Sequence, residues 1–142
     1  MKSNKGFTLI ELIVVISIMV VLMGIGLVAL NPGRQYQISR DVKRENDINA
    51  ILNALNQFQL DNNGNPPNEG TMAICPNTST IGISALDLFD DLVASYIAEI
   101  PVDPDSSCNL SDSCFEVCET GTGRITISAP KVETRDSLSV TR

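Results

Sequence analysis

The stretch KGFTLIELIVVISIMVVLMGIGLVAL, residues 5–30, decides how this chain is read. From Phe7 to Leu30 it runs for 24 residues with a single charge, Glu11. As a helix that is about 36 Å, enough to cross a bilayer core of about 30 Å with some tilt. Ahead of it, Met1–Gly6 carries Lys2 and Lys5 and no acid. The positive-inside tendency keeps that end cytoplasmic and places the rest of the chain outside. A secretory signal would have a shorter apolar region, about 7–15 residues, closed by a small-x-small cleavage site. This run is longer, and VALNPG at its end is a poor match. A permanent signal anchor fits the length but leaves Glu11 unexplained. An intramembrane carboxylate is costly and usually has a partner; the bland alternative is an interfacial charge favoured by the helix dipole.

Composition narrows the function classes. Ten Lys/Arg against seventeen Asp/Glu leave a formal charge of −7, which argues against a nucleic-acid footprint over the whole surface. The chain has no histidine, so imidazole acid–base chemistry, Ser-His or Cys-His pairs and His-containing zinc sites are excluded within it. Tryptophan is absent, and stacking platforms for single strands are not expected. Asp90–Asp91 is a pair of carboxylates, but adjacent acids on a helix point in different directions. The composition points away from catalysis and names no cofactor.

Four cysteines, Cys75, Cys108, Cys114 and Cys118, follow the apolar run. An even number beyond an export signal reads as disulfides formed outside the cytoplasm, and no C-x-x-C pair supports a zinc site. Cys114 and Cys118 are read as lying on one strand, about 13 Å apart. A bridge needs α-carbons within about 7 Å, so that pairing is disfavoured. The other two connectivities stay open.

Beyond the apolar run, Gly24, Gly26 and Pro32 mark a region where the helix is expected to bend, with the break at Asn31–Gly33. Pro32 removes a helix hydrogen bond and disfavours helical geometry at Asn31. The apolar spacing then resumes through Ile38, Val42, Ile48, Ile51, Leu52, Leu55 and Phe58. The charge run RDVKREND between them is read as a solvated helix face or, more sharply, as ion pairing between subunits. DNNGNPP ends the helix. Residues 65–83 read as an irregular loop. SALDLFDDLVASYIAEIP predicts a second short helix with a capping box at Ser84 and Asp87. FEVCE and RITISA, separated by TGTG, predict a hairpin, and residues from Lys131 onward an edge strand or tail.

KGFTLIEL and the apolar run behind it closely resemble the processing signal of type IV pilins and type II secretion pseudopilins. The resemblance is strong over the N-terminal helix and loose beyond it. It implies a leader, residues 1–6, that a prepilin peptidase cuts between Gly6 and Phe7. It also implies N-methylation of Phe7 and pairing of the Glu11 carboxylate with the Phe7 amine of a neighbouring subunit. Such pairing would lower the cost of each charge in an apolar filament core and set one axial register. The family commonly has a proline in the latter part of this helix, where this chain has Val28. The implied fold is α+β and pilin-like: a membrane and filament-core helix over 7–33, and a periplasmic or extracellular globular domain over 34–142, disulfide-stabilised, with a small antiparallel sheet.

The implied function is structural. The chain would begin as a single-pass inner-membrane precursor and polymerise into a homo-oligomeric filament driven by pilus or secretion assembly machinery. The leading expectation is a type IV pilus subunit, serving adhesion, motility or DNA uptake, which the paired cysteines favour. A major pseudopilin of type II secretion is the alternative, favoured by the short length and an Asp-Pro loop. In that group a comparable loop binds calcium, and PVDPDSSCNLSD offers Asp103, Asp105 and Asp112, with Ser106 and Asn109 nearby. The alternative there is a plain turn. A signal-anchored envelope binding module or enzyme is the rival from another class; it requires an intact leader and a pocket constellation.

Overall fold

The computed structural model describes residues 6–68 and 71–142. The leader residues Met1–Lys5, with Lys2 and Lys5, lie outside them. The chain divides into two compact units, Met1–Tyr36 and Gln37–Arg142.

In the first unit, helix α1 spans Leu9–Leu30. Thr8 caps it with extended backbone, and its hydroxyl oxygen accepts from the Glu11 amide at 3.3 Å. Gly24 and Gly26 lie within the helix without interrupting it. The interruption is at Asn31, which adopts left-handed geometry (φ 39°, ψ 75°), and helix α2, Pro32–Asp61, starts immediately after. Asn31 serves both helices. It closes α1, and its side-chain oxygen accepts from the Arg34 amide at 3.4 Å. Proline suits the first position of a new helix because the hydrogen it lacks would have no partner there.

The second unit forms around α2. Ile48, Ile51, Leu52 and Leu55 recur three or four residues apart and are fully buried. Each contributes about 1.5–3 kcal/mol of apolar burial. Left-handed Asn63 and Gly64 end α2, with the Gly64 amide donating to the Gln59 carbonyl at 2.7 Å.

Facing the helix is an antiparallel sheet ordered β1-β2-β3-β4, with β1 Ser79–Thr80, β2 Glu116–Glu119, β3 Ile125–Ser128 and β4 Ser139–Thr141. The expected hairpin forms between β2 and β3, where Val117 pairs with Ile127. Val117, Ile125 and Ile127 are fully buried and share one apolar cluster with α2. Two outer strands widen this hairpin: β4 comes from the polar tail, and β1 from the stretch read as an irregular loop.

The second helix is far shorter than expected. Only Phe89–Leu92 is helical (α3), and the Ser84–Asp87 capping box does not form. The Ile83 and Ser84 amides instead donate to the carbonyls of Leu110 and Ser111, at 3.2 and 3.1 Å. Asp87 caps two residues on, accepting from the Phe89 amide. Left-handed Ala94 ends the segment. Leu88 and Leu92 still enter the core, and Tyr96 meets Phe58 edge to face at 5.6 Å. Gly82 is required here, since a β-carbon would lie 2.4 Å from the Ser111 carbonyl oxygen.

Candidate functional site

Helix α1 presents apolar side chains on all its described faces. Phe7, Leu9, Ile13, Val20 and Val28 are all exposed, and Leu9–Val28 is long and apolar enough to cross a membrane. A helix apolar all round needs lipid or other helices around it. Its one mid-helix hydroxyl is internally satisfied, Ser17 donating to the Ile13 carbonyl at 2.7 Å. Gly6 and Phe7 precede the helix in exposed chain, so the bond between them is outside regular structure. Glu11 is exposed one turn into the helix, and its backbone is held by Thr8. These residues share one short segment, but no bond within the chain occupies the Glu11 carboxylate among the described residues.

The charge run is divided: Arg40 and Lys43 are exposed, whereas Asp41 and Arg44 are buried within the unit. All three nitrogens of the Arg44 guanidinium donate. Nε and Nη2 donate to the two oxygens of Asp103 at 2.8 and 3.0 Å, while Nη1 reaches Asp41 at 2.8 Å and Glu133 at 3.0 Å. The hydrogen bonds to Asp103 raise the Arg44 pKa above its ordinary value against the opposing effect of burial. Burial also opposes ionisation of Asp41, but the Thr134 hydroxyl, the Glu133 and Thr134 amides and Arg44 overcome it and hold the carboxyl at about 2. Arg40 pairs with Glu133, and Arg135 with Glu45 at 2.7 Å. This ionic clasp fastens loops 103–107 and 131–135 to α2. One signal was available in the sequence: Asp41 and Arg44 continue the three–four spacing of Ile48, Ile51, Leu52 and Leu55.

The disulfides are Cys75–Cys118 and Cys108–Cys114, with α-carbons 5.2 and 5.7 Å apart. Cys114 is not on a strand with Cys118. It precedes β2 in left-handed geometry (φ 62°), which turns it back towards Cys108. The first bridge ties the 73–75 segment to β2, where the Cys75 amide also donates to the Glu119 carbonyl.

Asp103, Asp105 and Asp112 do not converge. Arg44 takes Asp103. Asp105 accepts from the Ser107 amide and hydroxyl, at 2.9 and 2.6 Å, and from Lys131 at 3.2 Å. Asp112 accepts from the Cys114 amide at 2.9 Å. Among the described residues no three His, Cys, Asp or Glu are grouped to hold a metal ion.

An exposed apolar helix, started by a capped turn behind a Gly-Phe bond, together with a disulfide-bonded α+β unit, is a pilin-like architecture. Residues 1–27 match the prokaryotic N-terminal methylation motif. The chain is 33% identical over 103 residues to type II secretion system core protein G of Aeromonas hydrophila, covering 72% of this chain and 68% of that protein. No solved structure shows a significant match. The chain belongs to the type IV pilin and pseudopilin family, whose members are structural subunits. Membership implies processing by a prepilin peptidase and assembly into a filament.

Proposed function

We propose that this chain is the subunit of a type II secretion pseudopilus. It is held in the inner membrane by α1 with its N-terminus cytoplasmic, cut between Gly6 and Phe7, methylated on the new amine and polymerised with residues 34–142 in the periplasm. The observation that carries this reading is the 33% identity to core protein G across 68% of that protein. Thr8 starts the helix one residue after Phe7, which leaves the Phe7 amine outside the helical hydrogen bonding. The Glu11 carboxylate lies one turn further along, free to meet the amine of a neighbouring copy. In apolar surroundings both charges are costly alone, so their pairing favours the filament over the isolated precursor. Assembly machinery with a cytoplasmic ATPase and a membrane platform would supply the extraction work.

A surface pilus subunit is the second reading, and the two disulfides favour it. Deleting the gene in its host separates the two. A pseudopilus subunit predicts loss of protein export with surface fibres intact; loss of fibres with export intact would overturn it. Glu11→Leu tests the shared assembly step: the variant should be cleaved and should fail to polymerise, and a normal filament yield would refute the role given to Glu11.

A further inference from the structure

The loop where the family resemblance leads one to expect calcium does not fit that ion. Calcium takes about six to eight oxygens converging at roughly 2.3–2.6 Å. Here the carboxylates at 103, 105 and 112 each serve a different partner, and two of those partners are cations of the chain itself. Asp103 is buried with both oxygens turned to the Arg44 guanidinium. Asp105 sits beside the Lys131 ammonium, which also donates to the Ser107 hydroxyl. The Asp105 oxygen that meets Lys131 also accepts the Ser107 amide and hydroxyl, so ammonium, hydroxyl and carboxylate close one small ring of contacts. The far end of the loop is closed by Cys108–Cys114.

We propose that Lys131 and Arg44 are the built-in counter-ions of the 103–108 loop, so that it holds its fold without calcium or another divalent ion. The two cations enter from opposite sides of the sequence, Arg44 from α2 and Lys131 from the segment after β3. Each therefore also crosslinks the loop to another part of the unit, as a bound ion shared between segments would. The ammonium suits the outer position: it is a compact charge with several donors, and its side chain keeps partial access to water. The guanidinium suits the buried one, where its fork matches both oxygens of Asp103. This inference concerns the globular unit and stands apart from the choice between pseudopilus and pilus.

The test uses the full-length chain in detergent, with calcium chloride or EGTA, as wild type and as Lys131→Met. The wild type should melt at the same temperature in both and give no stoichiometric heat on titration with calcium. A site filled at a hundred times its dissociation constant would instead raise the melting temperature by about 10 °C or more, which would overturn the proposal. In Lys131→Met, hydrogen exchange at the Ser107 and Cys108 amides should quicken by about two- to five-fold. Unchanged exchange there would show that Lys131 does not hold the loop, and would equally overturn it.

Discussion

Replacing Arg44 with methionine removes the centre of the clasp while keeping most of the side-chain bulk. The loss is therefore one of charge and hydrogen bonding rather than of volume. Four hydrogen bonds disappear, to both oxygens of Asp103, to Asp41 and to Glu133. The carboxylates of Asp103 and Asp41 stay behind, with side chains only 0% and 1% exposed. Removing one partner of a buried ion pair typically costs about 3–5 kcal/mol, because the remaining charge is desolvated without compensation. For a unit of about a hundred residues that lowers the melting temperature by roughly 12 °C or more. Urea unfolding followed by circular dichroism in detergent would measure it, at pH 7 and pH 5. The pH pair adds a sign. In the wild type the Asp41 pKa falls from an ordinary 3.8 to about 2. Its stabilising share of roughly 2 kcal/mol is therefore complete above pH 4 and is lost as pH falls towards 2. In the variant, the carboxylates left without a guanidinium gain from protonation, so it should be more stable at pH 5 than at pH 7. A variant within about 0.5 kcal/mol of wild type, or one that loses stability from pH 7 to 5, would refute the clasp.

Other outcomes follow from single contacts. Breaking Cys75–Cys118, which joins positions 43 residues apart, should cost about 4 kcal/mol, and breaking the short Cys108–Cys114 loop about 2 kcal/mol; urea midpoints of the serine pairs would rank them. Gly82→Ala forces a β-carbon onto the Ser111 carbonyl and should lose about 1–3 kcal/mol, whereas Gly121→Ala, with open space around it, should be nearly neutral by the same assay. Asp47 has a buried, unpartnered carboxylate oxygen and a pKa raised by burial. Asp47→Asn should therefore stabilise the chain at pH 7 by about 0.5–1 kcal/mol, with the gain fading as acid protonates the wild-type group.

The parts of this molecule legible in its sequence are those set by local chemistry. The apolar run, the left-handed stop at Asn63–Gly64 and the β2–β3 hairpin each follow from a few adjacent residues. What escaped reading depends on contacts distant in sequence. RDVKREND looks solvated because its acids and bases balance locally, yet Arg44 is bound by Asp103 and Glu133, 59 and 89 residues away. Ser84 and Asp87 have capping-box spacing, but the Ser84 amide is claimed by Ser111, so the helix starts later. Asp103 and Asp105 sit in a row like calcium ligands, and only the fold shows that Arg44 and Lys131 pair with them. Cys114 has the β-like neighbours of a strand residue, yet its left-handed backbone turns it into the short bridge to Cys108.

Cleavage between Gly6 and Phe7 separates a processed filament subunit from an anchored envelope protein. Its most direct test is intact-mass and N-terminal peptide mass spectrometry of protein made in cells that also express a prepilin peptidase. A processed filament subunit gives a chain beginning at N-methylated Phe7, with Met1–Gly6 gone. A chain that keeps Met1–Gly6 in the presence of active peptidase would contradict that role and leave α1 a permanent anchor.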